Sequence, residues 1–282
     1  MNAASVTVAC AQLTLAVGAV EANRAAADHA IAQAAAAGAD VLVLPELTNS
    51  GYVFEDAAEA TALAEPADGP TVTAWSGAAR RHGITLVAGL CERDPDGQVR
   101  NSAVLIDPTG TLRAVYRKAH LFGTEKDIFV PGNELPPIVD VPPVGPIGVM
   151  ICYDLEFPEW VRATAIEGVE LLCAPVNWPL VPRPDGQAPA EVIRVQANAS
   201  VNRVFVAACD RAGDERGVAW TGASAIADPD GFLMATTDTA PATPALLLAE
   251  CDLSQARDKR IGAHNDVFKD RRPELYARTH TA

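Results

Sequence analysis

AGADVLVLPE, residues 37–46, is an apolar run that ends abruptly on a proline and a carboxylate. A run apolar on both faces reads as a strand that other layers cover on each side. The pattern returns as EGVELLCAPV at 167–176, and a second echo follows in the same order, SAVLIDPTGTL at 102–112 and SAIADPDGFL at 224–233. Convergent strand and hairpin chemistry would produce either echo alone. Both in one order point to two related halves.

Around these echoes the pattern alternates strand, helix and strand. SVTVACAQL predicts a strand, then an alanine-rich helix runs over about 21–37 and stops at Gly38. A second helix spans 71–82 before Gly83, and TLVAGLCERD and VRNSAVLIDPTGTLRAVYRK read as neighbouring strands turned by D-P-T-G. GVMIC, EWVRATAIEG, ELLCAPV, AEVIRVQANASVN, RVFVAAC and ASAIADPDGFLMATT repeat the plan. The expected fold is α/β, a four-layer α-β-β-α sandwich of two related halves in a single domain over 1–282. The proline-rich stretches 131–146 and 175–189 read as surface loops.

With 282 residues the chain can bury a sizeable core, and 49% hydrophobic and 21% charged residues is ordinary globular composition. A net charge of -14 argues against a nucleic-acid partner, since no basic stripe could replace phosphate counterions. The same charge would favour a cationic substrate or simply keep the protein soluble. MNAASVTVAC has no basic n-region, and no apolar run approaches the roughly 20 residues of a membrane span. The six cysteines are scattered without C-x-x-C, and H-E-x-x-H is absent. No disulfide framework, metal or cofactor is expected, and a reducing cytoplasm suits the composition.

Three polar groups stand at strand ends. Glu46 closes VLVLP, Lys118 closes RAVYRK, and Cys152 closes GVMIC. Each has a bland reading: a carboxylate escaping to solvent, a solvated cation beside Arg117, a small packing residue. In open α/β sheets, however, reactive groups gather beyond the carboxyl ends of strands. Converged there, the three make a base, a cation and a nucleophile. The carboxylate can take the thiol proton, and Lys118 with the backbone N–H of Tyr153 could hold a tetrahedral oxyanion. The usual nucleotide-binding glycine motifs and the G-x-S-x-G elbow are missing. A Cys–His pair through His120 is a minor alternative.

LPELTNSGY, YRKAHLFGTEKDIFVPG and GVMICYDLEFPEW resemble the three signature segments of the nitrilase superfamily of carbon–nitrogen hydrolases, and the likeness runs from VACAQL to FKDRRPELY. The resemblance implies Glu46 as general base, Lys118 as oxyanion partner, Cys152 as nucleophile and Glu125 as the second glutamate that orients lysine and substrate. Tyr52, Asn177 and Trp178 either line the substrate pocket or pack at a sheet edge. HLFG and CYDLEFPE look closer to aliphatic and ω-aminoamide amidases than to N-carbamoyl branches. The expected activity is hydrolysis of a small carboxamide to acid and ammonia through a cysteine thioester. A nitrilase is the rival reading, and a non-catalytic metabolite-binding protein of the same fold is a third, which the intact Glu46, Lys118 and Cys152 argue against. The family usually forms homodimers or larger homo-oligomers.

Overall fold

A computed structural model describes residues 5–237 and 242–276. In chain order, β1 (Val6–Gln12), α1 (Val20–Ala36), β2 (Val41–Val43), α2 (Ala57–Leu63), α3 (Pro70–His82), β3 (Thr85–Arg93), β4 (Val99–Ile106) and β5 (Leu112–Arg117) form the first half. The short helix α4 (Glu125–Ile128) leads to β6 (Ile138–Val141), β7 (Gly145–Val149), α5 (Pro158–Ile166), β8 (Leu171–Pro175), α6 (Ala190–Asn202) and β9 (Phe205–Cys209). After a small hairpin of β10 (Asp214–Glu215) and β11 (Val218–Ala219) come β12 (Ala225–Ala227), β13 (Leu233–Thr236), β14 (Ala245–Cys251) and the terminal turn α7 (Pro273–Tyr276). Both predicted helix stops, Gly38 and Gly83, adopt positive φ (84° and 65°).

Two six-stranded sheets result, ordered β14-β1-β2-β3-β4-β5 and β13-β12-β9-β8-β7-β6. In each, three central strands run parallel (β1, β2, β3 and β7, β8, β9) and the flanking strands pair antiparallel. The strands alternate their contacts. Val8, Cys10, Val41, Val43, Val87 and Leu105 of the first sheet join Val149, Leu171, Cys173 and Phe205 of the second in one buried cluster. Their neighbours Leu42, Leu44, Leu86 and Val104 point the other way, against Ile31 and Ala34 of α1 and Val72 and Trp75 of α3. On the far side, Val161 and Ala165 of α5 and Val192, Val195 and Ala199 of α6 cover the second sheet. Helix, sheet, sheet and helix make four layers, and residues buried on both faces explain why these strands read as unbroken apolar runs.

The sequence echoes fall on equivalent elements, β2 with β8 and the β4–β5 hairpin with β12–β13. The hairpins share their chemistry in detail. The carboxylate of Asp107 accepts from the N–H groups of Thr109 and Thr111, as that of Asp228 does from Asp230 and Phe232. Each hairpin carries a register shift just before its turn. A third copy, Asp94-Pro-Asp-Gly, joins β3 to β4 with the same bonds to Asp96 and Gln98.

Two expectations fail in part. Residues 131–146 are not all surface loop, because they contain β6, and Val141 and Val144 are buried; nor are residues 175–189, where Pro175 ends β8 and Val176, Asn177 and Trp178 are buried. Proline broke the hydrophobic period in the first stretch, yet a sheet edge tolerates it, and β6 is an edge strand. The sequence reading also assigned nothing to α2 or β14. No helix among the described residues is long and apolar enough to cross a membrane.

Candidate active site

Beyond the end of β2 the chain turns back on itself. Thr48 N donates to the carbonyl of Gly89 and its hydroxyl to that of Pro45, and Leu47 takes a positive φ of 49°. This elbow buries Glu46 completely. Gly89 in β3 packs directly behind it. A Cβ there would lie 2.6 Å from both Glu46 Cα and Pro45 O and would press still harder on Leu47 N, all atoms of a backbone that cannot swing aside. We expect Gly89→Ala to cost about 1–3 kcal/mol through overpacking and to displace Glu46. Loss of activity beyond the loss of folded protein, measured by comparing thermal unfolding with turnover, checks this. An alanine variant with full kcat would show that the elbow yields without consequence.

Lys118 follows β5, where its N–H donates to Asn101 O at 2.8 Å. Its side chain is as buried as that of Glu46. Lys118 Nζ donates to Glu46 Oε1 at 2.6 Å and to Glu125 Oε1 at 2.8 Å, while Asn101 Nδ2 donates to Glu46 Oε1 at 2.7 Å. Glu125, at the start of α4, receives the Tyr52 hydroxyl on Oε1 (2.6 Å) and Phe122 N–H on Oε2 (3.0 Å). One carboxylate oxygen is left over. Glu46 Oε2 is buried and has no hydrogen-bond partner among the described residues.

Cys152 starts a short 3-10 turn, three residues past β7, with φ at 45°. That left-handed backbone is rare for a residue with a Cβ and is held by its surroundings. Asp154 supplies the hold. Its buried carboxylate accepts from Ile151 N–H, the Tyr116 hydroxyl and His120 N–H, and pairs with His120 Nδ1 at 2.7 Å. His120 also stacks on Phe157 at 3.8 Å, so its ring is committed to supporting the turn. Cys152 Sγ is 3.6 Å from the carbonyl of Asn177.

The related halves meet here. Glu46 follows β2 and Asn177 follows its counterpart β8. Glu46 N–H donates to Val176 O (3.4 Å), and Asn177 Nδ2 donates to Glu46 O (3.2 Å).

Charge and burial set the proton positions. Burial pushes the Glu46 carboxyl from 4.5 up to about 7, against the opposing pull of Lys118. Burial works against the Lys118 ammonium too, but Glu125 and Glu46 outweigh it and hold its pKa above the ordinary lysine value. The Cys152 thiol is pushed well above its usual range, first by burial and then by the negative charge of Glu46, with Lys118 opposing. The resting group is therefore a thiol, and it needs a base.

The structure thus brings Glu46, Lys118 and Glu125 into one hydrogen-bonded cluster whose charges act on Cys152. Tyr52 lies at a cavity of about 310 Å³ lined also by Phe54, Phe122, Glu125, Phe129 and Trp220. Tyr153 is half-buried in the turn after the thiol, its ring edge-on to Phe122 and Phe157. Asn177 touches the thiol through its carbonyl. Trp178 is buried in the main apolar cluster, and neither it nor Asn177 or Cys152 is among the residues lining this cavity. Sequence reasoning missed Asn101 and Asp154. A polar residue facing inward from an apolar strand signals the first, and the second stands two residues after the cysteine. Among the described residues, no group of three or more His, Cys, Asp or Glu side chains gathers as a metal would require.

Comparisons with known proteins identify the family. The family model for carbon-nitrogen hydrolases matches residues 7–261. A nitrilase of Pyrococcus abyssi is 38% identical over 259 residues, covering 91% of this chain and 93% of its own. The 2-oxoglutaramate amidase of Bacillus subtilis is 32% identical over 272 residues, covering 96% and 99%. An amidase from Nesterenkonia sp. superposes with a TM-score of 0.80 at 29% identity, covering 99% and 98%. One variant of that amidase is described as carrying the acetamide moiety of fluoroacetamide added covalently at its active-site cysteine.

Proposed function

The chain belongs to the carbon–nitrogen hydrolase family, and from that premise we propose that it is a thiol amidase converting a small carboxamide to its acid and ammonia. The observation that carries this reading is the unpartnered Oε2 of the buried Glu46, a base raised to about 7 beside a thiol that keeps its proton. Cys152 Sγ attacks the amide carbonyl as its proton passes to Glu46. Lys118 Nζ and the Tyr153 N–H hold the oxyanion. Glu46 returns the proton to the leaving nitrogen, the C–N bond breaks, and ammonia departs from a thioester. Water, deprotonated by Glu46, then attacks the thioester and releases the acid. Glu125 keeps Lys118 aimed between the two carboxylates.

The cavity supports an uncharged acyl group. Its walls are mainly aromatic and aliphatic, and its charged lining residue, Glu125, is already paired with Lys118. Ammonia release from a panel of simple amides, matching nitriles, carboxylate-bearing amides and ω-amino amides tests the proposal. We expect uncharged short amides to lead. A nitrile reading draws support from the Pyrococcus abyssi relative. Nitrile turnover equal to or faster than amide turnover would reverse the ranking. The reading extends to a cytoplasmic homodimer or larger homo-oligomer, for which the exposed Ile166, Ile193 and Val201 on α5 and α6 offer apolar surface.

A further inference from the structure

Glu215, in β10, lies far along the chain from the cluster around Cys152, yet it is buried and directed at the same cavity wall. Its Oε2 accepts the backbone N–H groups of Tyr52 at 2.9 Å and Val53 at 2.7 Å, and Arg211 Nη1 at 3.2 Å. Arg211 in turn stands over the Trp220 ring, 5.1 Å from its centroid, and Trp220 meets the Tyr52 ring edge-on at 5.5 Å. The Tyr52 backbone and ring are therefore held from two directions by one group of residues. Arg216, next in the chain, clamps the same loop from outside through Val53 O and Glu59.

What this fixes is a hydroxyl. Tyr52 OH donates to Glu125 Oε1, the oxygen that also receives Lys118 Nζ. A buried Arg–Glu pair is seldom better for stability than apolar residues of like volume. Arg211 Nε and Nη2 have no partner among the described residues, so the pair is not a complete stabilising network in itself. Its geometry has a clear product, however: the placement of two adjacent backbone N–H groups.

We propose that Glu215 is a positioning residue, which fixes the Tyr52–Val53 backbone so that the Tyr52 hydroxyl holds Glu125 against Lys118. The proposal rests on the amidase reading above. It assigns Tyr52 to the support of Glu125 before any contact with substrate. A bond to a charged acceptor is worth roughly 10-fold or more, and an amide accepts more weakly than a carboxylate.

The test is a double-mutant cycle on kcat and KM for one simple amide, with thermal unfolding followed in parallel. We expect Tyr52→Phe and Glu215→Ala each to lower kcat about 10-fold or more with KM little changed. Glu215→Gln, whose carbonyl can still accept from the loop, should fall between Glu215→Ala and wild type. In the Tyr52→Phe background neither Glu215 substitution should lower kcat further by more than about 2-fold. Should Glu215→Ala not fold, Glu215→Gln carries the same cycle. Losses that multiply in the double variant would overturn the proposal, as would a Glu215 variant with lower thermal stability and unchanged kcat. Cys152→Ala serves as the control. If it is inactive while the losses multiply, the relay alone is wrong; if it stays active, the amidase reading falls with it.

Discussion

Cys152→Ala should lower amide turnover by roughly 10⁴-fold or more, because no other group in the site can form the covalent intermediate. The other candidates are placed against it. Cys173 and Cys209 are fully buried in the core between the sheets, and burial pushes both thiols well above their ordinary range. Neither is acted on by the Glu46–Lys118–Glu125 cluster. Mass spectrometry after mixing with a slow or electrophilic amide should therefore find the adduct on the peptide containing Cys152. Hydroxylamine should divert the thioester to a hydroxamate. An adduct on Cys173 or Cys209, or persistent activity in the alanine protein, would show that the nucleophile lies elsewhere. The fold should survive the change, since Asp154 holds the turn through Ile151, Tyr116 and His120 without using the thiol.

Glu46→Gln should have the next largest effect, a fall of about 10²- to 10⁴-fold from loss of the general base. Removing one partner of a buried ion pair commonly costs about 3–5 kcal/mol because the other charge is stranded. Here Lys118 keeps Glu125 at 2.8 Å, so the glutamine protein should still fold. The pH dependence has a definite sign. Glu46 must be ionised to accept the thiol proton, so wild-type kcat/KM should rise with pH through about 7. Stability runs the opposite way. A carboxyl raised from 4.5 to about 7 on folding contributes fully below 4.5, and that contribution is lost as pH rises through about 7. Glu46→Gln should accordingly lose less stability than wild type over that interval. Parallel melting curves that do not differ between the two proteins, or a rate profile flat through neutrality, would assign the buried proton to another group.

Much of this site was legible because its residues interrupt otherwise apolar strands. VLVLP and GVMIC are buried on both faces, so Glu46 and Cys152 stood out as groups a packed core would reject, whereas Lys118 closes a half-buried edge strand and was legible from its place at the end of RAVYRK. The two echoes located β2 against β8 and the paired hairpins, from which the layered fold followed. The supporting residues were less visible for a physical reason. Glu215 reaches Tyr52 across a separation of 163 residues, and Asn101 reaches Glu46 across 55. Such partners are fixed by how strands stack, which no local period encodes. Trp178 shows the converse. Its place after a strand left pocket lining and packing at a sheet edge equally open, and the structure buries it in the main apolar cluster. The edge strand β6 was hidden by prolines, and β14 lies in a stretch with no counterpart among the echoes.

The position of β14 has a kinetic meaning. The second sheet has its outer strand β6 just ahead of β7, so that edge can form from nearby chain. The first sheet takes the matching strand from late in the sequence: Val6 pairs with Cys251 and Gln12 with Ala245. Closing so long a loop precedes any reward from the contact, and pairings of this kind are slow. During synthesis, Glu46 and Lys118 emerge on a sheet whose β1 edge stays open until almost the whole chain has followed. Unpaired edges of that kind invite wrong partners. Assembly of the catalytic cluster is thereby tied to the arrival of a strand that contributes no group to it.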